Sequence, residues 1–444
     1  MKRRSALVLK ACAGLVLGLG VAYAGWSAAA ARGLRHAYVE MAAAGRPMNA
    51  AQVIPPEVPD AGNAALCYQA AVLRLKATPA GGSNQWTRLV ELTRKPEDGP
   101  PLTASESAEL QRLLQEPAVG EALRWVAEGA QRPGCRFDVN YCKGIEVRLD
   151  HLGLLRHLSR IVAAAARQQA ADGDAAGAWR TAVTGLACAD ALRVEPLLIG
   201  QLSRLAQMDV GIETVQQLCR FGPPPAGEVA AMRRRLEAFD DPGPLALAID
   251  GERLLWGEWA FAQSPEQLRR IEGTPKAVWL AREARIAPLF DRDHALYLRY
   301  MRHVADWAGR PFVPNERDPA EALMADWPVC VATSLLAPVF SSIKPRFYRT
   351  VAAARLTRAG LTALQYRQAH GAFPKSLAEL DPAPPSDPFT GRELGYRVEP
   401  GGFVLCSTGP DLKDDGGSVE KGEDGRPKDV AWRFTEEAPK GAQP

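Results

Sequence analysis

The acidic residues near the C-terminal end supply hard oxygen donors, the type of ligand that calcium binds. Two glycines among them, Gly416 and Gly417, allow the backbone to wrap tightly around an ion. Calcium takes about six to eight oxygen ligands, commonly from the carboxylates and carbonyls of one loop. The EF-hand spacing is absent, so two interpretations stay open, a calcium loop and a solvated acidic loop. The carboxylates concerned are Asp411, Asp414, Asp415, Asp424 and Asp429.

The six histidines do not form a recognisable catalytic pattern. No HExxH, G-x-S-x-G or Walker loop occurs in the chain. His151 and His157 lie on one expected helix, but their spacing places them on different faces. The run Asp291–His294 is expected to be a solvated helix start. Glu252 is a single acid without a partner, which defines no general acid. The sequence therefore assigns no catalytic residue, and an enzyme would need Asp150, His151 or Glu252 to meet another acid in a cleft.

Cysteine usage predicts one local disulfide. One of the eight cysteines, Cys12, lies in the N-terminal apolar run, which leaves an odd number for pairing. Cys135 and Cys142 lie in a short, poorly helical stretch, and we predict a disulfide between them. The alternative is two buried small apolar residues, because free cysteine often packs in this way. No CxxC spacing occurs, so a structural zinc site is not expected.

The N-terminal residues predict a membrane anchor. Basic residues fill positions 2–4, and no charged residue occurs from Ala11 to Ala31. An apolar run of this length crosses a hydrocarbon core of about 30 Å. The positive-inside rule keeps the basic end in the cytoplasm. We therefore expect a single-pass protein of the cytoplasmic membrane with the bulk of the chain in the periplasm. The A-x-A site that ends at Ala24 keeps an alternative open, a protein secreted after cleavage near Ala24.

Composition excludes several classes of protein. The chain has 444 residues, of which 47% are hydrophobic and 24% are charged, as in a globular protein with a substantial core. A length of this kind suggests two or three domains. The formal net charge of +3 is too small for a typical nucleic-acid binder, so no nucleic-acid partner is expected. Intrinsic disorder and a multi-span membrane protein are also excluded.

Stretches rich in proline and glycine divide the chain into four parts. The anchor occupies residues 1–31, and a Pro-rich spacer occupies residues 32–62. An α-helical domain is expected over residues 63–345, with helices at 150–171, 175–193 and 197–220. The short turn after residue 171 predicts an antiparallel helical hairpin. No repeat of fixed period recurs, so the domain is expected to be irregular rather than a solenoid.

The last part, residues 346–444, carries the most specific pattern. A helix with one apolar face is expected to end at Gly371, followed by a short helix that Ser376 and Glu379 would cap. Alternating residues around Gly401 and Gly402 predict a β-hairpin. Five or more ordered motifs accompany these elements: Tyr366-Arg367, Gly371-Ala372-Phe373-Pro374, Asp387-Pro388-Phe389, Tyr396, Ser407-Thr408-Gly409-Pro410-Asp411 and Asp429-Val430-Ala431-Trp432.

The order of these motifs resembles the globular domain of the major pseudopilin of type II secretion systems. The resemblance covers about one fifth of the chain and implies a small α+β fold. It also implies a calcium loop after the hairpin, in which Ser407, Asp411 and Asp429 occupy the matching motif positions. The N-terminal apolar run lacks the glutamate of pseudopilins, so assembly into a pilus is not implied. The whole chain resembles exported bacterial proteins that join a helical domain to a pseudopilin-like tail.

These observations favour a non-enzymatic protein of the cell envelope. Its fold class is expected to be mainly α, with a transmembrane helix, an irregular helical-hairpin domain and a pseudopilin-like α+β tail. The anchor and the tail together suggest a structural or protein-interaction role with a partner in the envelope, linked to secretion or pilus-type machinery. The alternative is an envelope hydrolase with an active site in the helical domain. Calcium is the one cofactor expected.

Overall fold

The computed structural model describes residues 2–77, 85–94, 101–270, 287–313, 343–418, 420–422, 425 and 427–436. Within these residues the chain is mainly helical, with one small antiparallel sheet near the C-terminal end. The mainly helical class, the N-terminal apolar helix and the small sheet are therefore confirmed.

The described elements follow one another from the N-terminal apolar helix to the last strand. The helices are α1 (Lys2–Ala43), α2 (Ala64–Lys76), α3 (Gln85–Leu92), α4 (Ala104–Leu114), α5 (Pro117–Gly129), α6 (Asp150–Ala171), α7 (Ala175–Asp190), α8 (Leu198–Leu218), α9 (Ala226–Glu237), α10 (Gly243–Gly251), α11 (Glu258–Ala262), α12 (Pro265–Arg270), α13 (Ala287–Ala308) and α14 (Ile343–His370). A π-helical turn, Glu252–Gly257, joins α10 to α11. The strands are β1 (Gly395–Glu399), β2 (Gly402–Ser407) and β3 (Val430–Thr435).

The first helix runs well beyond the predicted anchor. α1 continues without a break to Ala43, so residues 32–43 are helical and do not belong to an extended spacer. No proline or glycine interrupts the stretch after Gly33 until Gly45, where φ is +68° and the amide of Arg46 donates to the carbonyl of Met41. A glycine in this conformation is the usual way for a helix to end.

The proline-rich segment lies against the helical body. It contains two 3-10 turns, Ala50–Gln52 and Asp60–Gly62, and is therefore only partly extended. Val53 is 2% exposed and packs in an apolar cluster with Tyr141 and Leu197. The expected spacer that would hold the body away from the membrane is thus a folded connection.

Three helices form the centre of the body. The observed α6, α7 and α8 agree with the predicted helices within three residues at each end. Asp174 caps α7 by accepting from the amide of Gly177 at 2.8 Å. Alanines on α6 and α7 allow the two helices to approach closely, and Leu155, Leu186 and Met208 are fully buried between neighbouring helices.

The tail packs on the body through a shared core. β1, β2 and β3 form an antiparallel sheet in that order, and the predicted hairpin is the β1–β2 pair. α14 covers the sheet on one side and contacts α8 and α9 on the other. One apolar cluster contains Met208 of the body together with Phe403 and Trp432 of the sheet. The apolar core therefore continues across the expected domain boundary near residue 345. The short helix after Ser376 is a 3-10 turn, Leu377–Glu379.

Candidate functional site

The C-terminal part of α1 is held against the body by polar groups that share one carboxylate oxygen. Tyr38 Oη donates to Glu258 Oε2 over 2.6 Å, and His294 Nε2 lies 3.1 Å from the same oxygen. Phe261 stacks on the His294 imidazole with ring centroids 4.1 Å apart. Tyr38 and Glu258 are separated by 220 residues in sequence. These contacts join α1 to both α11 and α13.

A second group of charges continues the same contact at the end of α1. Arg46 lies 2.6 Å from Asp306 and 3.5 Å from Asp250. Arg253, only 1% exposed, donates to the carbonyl of Pro47 and lies 3.6 Å from Asp250. We call the set of Tyr38, Arg46, Arg253, Glu258 and His294 the anchor clamp. Apolar packing supports it, because Ala37 and Met41 are buried against Ala295 and Leu298.

Burial and charge act against each other inside the anchor clamp. Burial opposes ionisation of Glu258, but hydrogen bonds from His294 and Tyr38 and the charge of Arg253 lower its pKa below the ordinary value. The pKa of Tyr38 is raised, first by burial and then by its bond to Glu258. Arg253 also lies 3.6 Å from Glu258. The clamp thus holds one mostly buried carboxylate, Glu258, which the neighbouring protein groups stabilise in its charged form.

The sequence interpretation of the run Asp291–His294 is wrong in one respect. Asp293 is 8% exposed, and the His294 side chain is 12% exposed. Neither residue is a solvated helix start, because α1 covers this face of α13. The burial of these two residues could not be predicted from the local sequence, since the helix that covers them lies more than 200 residues away.

Glu252 lies at the start of the π-helical turn and is 5% exposed. Its Oε1 accepts a hydrogen bond of 2.8 Å from the amide of Leu198, the first residue of α8. Burial raises the pKa of Glu252 to about 7, which outweighs the lowering effect of that bond. Its role is to satisfy the N-terminal end of α8, and no second acid is bonded to it among the described contacts.

A cavity of about 630 Å³ lies beside the N-terminal half of α6. His151 and His157 of α6, Phe137 and Trp86 line it together with Lys76. We call it the α6 cavity. Asp150 also lines it but is paired at its rim with Arg148, 2.9 Å away.

The α6 cavity contains a histidine with a buried acid behind it. His151 is 6% exposed, and its Nε2 lies 2.8 Å from Oε2 of Glu195, which is 5% exposed. Tyr141 Oη donates to both oxygens of Glu195, at 3.1 and 3.0 Å. Phe137 stacks on the imidazole with centroids 4.7 Å apart. Sequence reasoning singled out His151 but missed Glu195 and Tyr141, whose partners lie tens of residues away.

The acidic loop brings three of the predicted ligands near one another. Asp429 is 2% exposed, and its Oδ2 accepts from the amides of Asp415 and Gly417 at 3.1 and 2.8 Å. Its Oδ1 is buried and has no hydrogen-bond partner among the described residues. The pKa of Asp429 is raised by burial and by the nearby charges of Asp415 and Asp414. The loop thus contains one buried carboxylate oxygen that lacks a donor.

The remaining predicted ligands are engaged elsewhere or not described. Ser407 donates to Asp387 over 2.8 Å, and Asp411 accepts from the amide of Lys413 at 3.2 Å. Asp424 lies outside the described residues. Across the described part of the chain, no group of three or more acidic, histidine or cysteine side chains is arranged as a metal site.

The predicted disulfide is not formed. Cys135 and Cys142 are free thiols. Cys135 packs against the apolar cluster of α2, α5 and α6, where burial raises its pKa to about 12, whereas Cys142 is exposed on a 3-10 turn. The chain between them therefore directs the two side chains into different surroundings.

Comparison with known proteins adds no relative to this description. No family model, no curated protein and no solved structure matches the chain.

The raised pKa of Glu252 predicts a specific pH dependence of stability. The pKa of Glu252 is about 7 in the folded protein, whereas its ordinary value is 4.5. The free energy of unfolding therefore falls as pH rises between these two values. Glu252→Gln removes this titration. In urea unfolding with detergent, the free energy of unfolding of the variant relative to the wild type should therefore rise by on the order of 3 kcal/mol from pH 4.5 to 8. Glu393→Gln, at an exposed position, is the control. A difference for Glu252→Gln that does not change with pH would contradict this assignment.

Proposed function

We propose that the chain is a single-pass, membrane-anchored protein of the cell envelope. Its helical body and tail lie on the periplasmic side, and its role is non-enzymatic contact with a protein partner in secretion or pilus-type machinery. The observation that carries the proposal is the continuity of α1, which has a membrane-compatible first part and a clamped second part.

The surface of α1 supports the membrane anchor. The helix is long and apolar enough to cross a membrane. Large apolar side chains on its first part are exposed, among them Leu15, Leu17 and Val21 at 60–75%. An exposed apolar surface of this extent is normally buried against another apolar surface. The basic residues that precede it favour burial in a lipid bilayer. The change from exposed to buried occurs along one helix, with Ala37 and Met41 at 1% exposure.

Cleavage near Ala24 is compatible with the same body. The residues of the anchor clamp all follow Ala24, so a chain that begins at Gly25 would keep every clamp contact. The secreted form is therefore the alternative localisation, and the mature N-terminus distinguishes the two.

The tail supports the proposed link to secretion machinery. Its long helix, hairpin and final strand follow one another in the order that the pseudopilin resemblance implies. The tail is held to the body by side-chain bonds as well as by the core, for example Gln216 to Thr357 at 2.8 Å and Arg355 to Asp240 at 3.1 Å. A partner that binds the tail would therefore be held at a fixed position relative to the anchor.

Labelling of one natural thiol tests location and topology together. Cys142 is exposed and unpaired. In spheroplasts of an expressing bacterium, a membrane-impermeant maleimide should label the chain without reductant, and the labelled chain should stay in the membrane after carbonate extraction with its N-terminus at residue 1 or 2. Cys142→Ser is the control and should lose the label at this position.

Two results would contradict the proposal. Labelling only after cell lysis would place the body in the cytoplasm. A mature chain that begins at Gly25 and leaves the membrane on extraction would replace the anchored form with the secreted one.

We also propose that the acidic loop binds calcium. The unpartnered Oδ1 of Asp429 supports this, because a buried carboxylate oxygen without a donor gains most from a bound cation. Asp414 and Asp415 supply further carboxylates close by, and backbone carbonyls of the glycine-rich loop supply the other oxygens that calcium requires.

Calcium titration by calorimetry tests the loop directly. The full chain in detergent should bind calcium, and Asp429→Asn should weaken binding at least about tenfold, since it removes the buried charge. Glu393→Gln changes an exposed acid of the tail and should leave the affinity unchanged. If calcium gives neither heat nor thermal stabilisation to the wild type, the loop is a solvated acidic loop.

An envelope hydrolase is the second candidate function, and the α6 cavity favours it. When Nε2 of His151 carries the proton, it donates a hydrogen bond to the Glu195 carboxylate, and Nδ1 is then the basic nitrogen. In a hydrolysis, Nδ1 would take a proton from water as the water oxygen attacks the substrate, and Glu195 would stabilise the imidazolium. The imidazolium would then return that proton to the leaving group as its bond to the substrate breaks. Tyr141 would hold Glu195 in position.

A further inference from the structure

The small sheet of the tail has an open edge along β1. The strand order is β1-β2-β3, so β1 is paired with β2 on one side only. Glu399 of β1 faces Gly402 of β2 across a turn of two residues. The residues that close such a turn bond to each other, and along an antiparallel pair every second residue instead points its N–H and C=O away from the paired strand. Tyr396 and Val398 are the two residues of β1 that point these groups away from β2.

The outward backbone groups of β1 have no backbone partner within the described part of the chain. No bond outside the β1–β2 ladder involves the N–H or C=O of Tyr396 or Val398. Val398 is 47% exposed, and the neighbouring Arg397 side chain is 53% exposed. A row of unpaired backbone groups on an accessible edge is a template for the addition of another strand.

Charged side chains mark this edge on the face of the sheet that points away from α14. Side chains alternate along a strand, so Arg397 and Glu399 share this face, whereas Val398 shares the other face with Phe403 of the apolar core. Arg397 lies 2.9 Å from Glu399 within the strand. The edge therefore presents a cation and an anion two residues apart, with an exposed valine between them.

A second copy of the chain fits this edge in one antiparallel register. When Val398 of one copy faces Val398 of the other, the two residues exchange both of their outward backbone hydrogen bonds. Arg397 of each copy then faces Glu399 of the other. Opposite charges directly across a strand pair stabilise it, and the two exposed valine side chains cover each other. A twofold axis through Val398 satisfies both copies in the same way, as in most homodimers.

The two neighbouring registers lack this match. A twofold axis through Arg397 would place the two Arg397 side chains directly opposite each other, which destabilises a strand pair. An axis through Tyr396 would place Arg397 opposite Gly395, so that the arginine gains no counter-charge. The charges on the edge therefore select the register that is centred on Val398.

We propose that β1 joins two copies of the chain into a homodimer with one continuous six-stranded sheet, three strands from each copy. The twofold axis is perpendicular to the sheet, so the two α14 helices lie on the same face. The dimer needs no other envelope protein and is the same for an anchored and for a secreted chain, so the inference goes beyond the proposed function. A monomer whose edge is protected by its charges is the competing outcome.

Sedimentation velocity of the full chain in detergent, over a range of concentrations, tests the backbone pairing. The wild type should form a dimer. Val398→Pro removes only an N–H that points away from β2, so the hairpin should be kept and the dissociation constant of the dimer should rise at least about tenfold. Val398→Thr is the matched control, because it keeps the N–H and the β-branched shape, and it should dimerise like the wild type.

Charge reversal tests the register. Arg397→Glu places a second carboxylate opposite Glu399 and should weaken the dimer at least about fivefold. The double change Arg397→Glu with Glu399→Arg restores opposite charges across the axis and should recover most of the wild-type affinity. Arg220→Glu, at an exposed position of the body, makes the same change of charge elsewhere and should have no effect.

Three results would overturn the proposal. The wild type could stay monomeric at every concentration. The dimer could persist unchanged in Val398→Pro, which would place the contact on another surface, such as the apolar part of α1. The double change could dimerise no better than Arg397→Glu although both variants melt at the wild-type temperature, which would exclude this register.

Discussion

The contact between α1 and the helical body is the constraint on which the other features depend. A helix whose first part is covered with exposed apolar side chains ends near a cluster of charges, most of which are buried. Tyr38 and His294 converge on Glu258, and Arg46 bridges Asp250 and Asp306. Breaking such a buried pair on one side is costly because it leaves the other charge unpaired. The body is therefore expected to keep one orientation relative to the apolar first part of α1.

The anchor clamp and the α6 cavity meet at a common structural element. Arg253 belongs to the π-helical turn and Glu258 to α11, which follows it. Glu195 lies on the segment that leads into α8. Gly251 brings these parts together, because a Cβ at this position would lie 1.7 Å from the carbonyl oxygen of Pro196. Glu252 adds its bond to the amide of Leu198. The geometry of the cavity thus depends on the same turn that holds the anchor.

Local patterns were sufficient to predict the features that depend on neighbouring residues. Apolar periodicity and capping residues predicted α6, α7 and α8, and the glycines after Pro400 predicted the hairpin. The N-terminal apolar helix was readable from the absence of charge between Ala11 and Ala31. Its end at Ala43 was not, because the last part of the helix packs on α13, which lies far away in the sequence.

The candidate sites depend on partners that are distant in sequence. Glu195 is 44 residues from His151, and no local spacing marks them as a pair. The disulfide prediction failed because proximity in sequence does not fix the direction of two side chains. The calcium loop and the pseudopilin-like tail stay predictions, since the part of the chain that the structure describes shows an unpartnered Asp429 oxygen but no assembled set of ligands.

Hydrogen exchange of residues 32–43 tests the central claim most directly. With the full chain in lipid nanodiscs, a continuous clamped α1 predicts that these amides exchange as slowly as those of α6 and α8, because both are hydrogen-bonded in packed helices. Exchange of residues 32–43 at the rate of an unfolded segment, with α6 and α8 still protected, would show a flexible linker between membrane and body. That result would contradict the account of α1 as one rigid element.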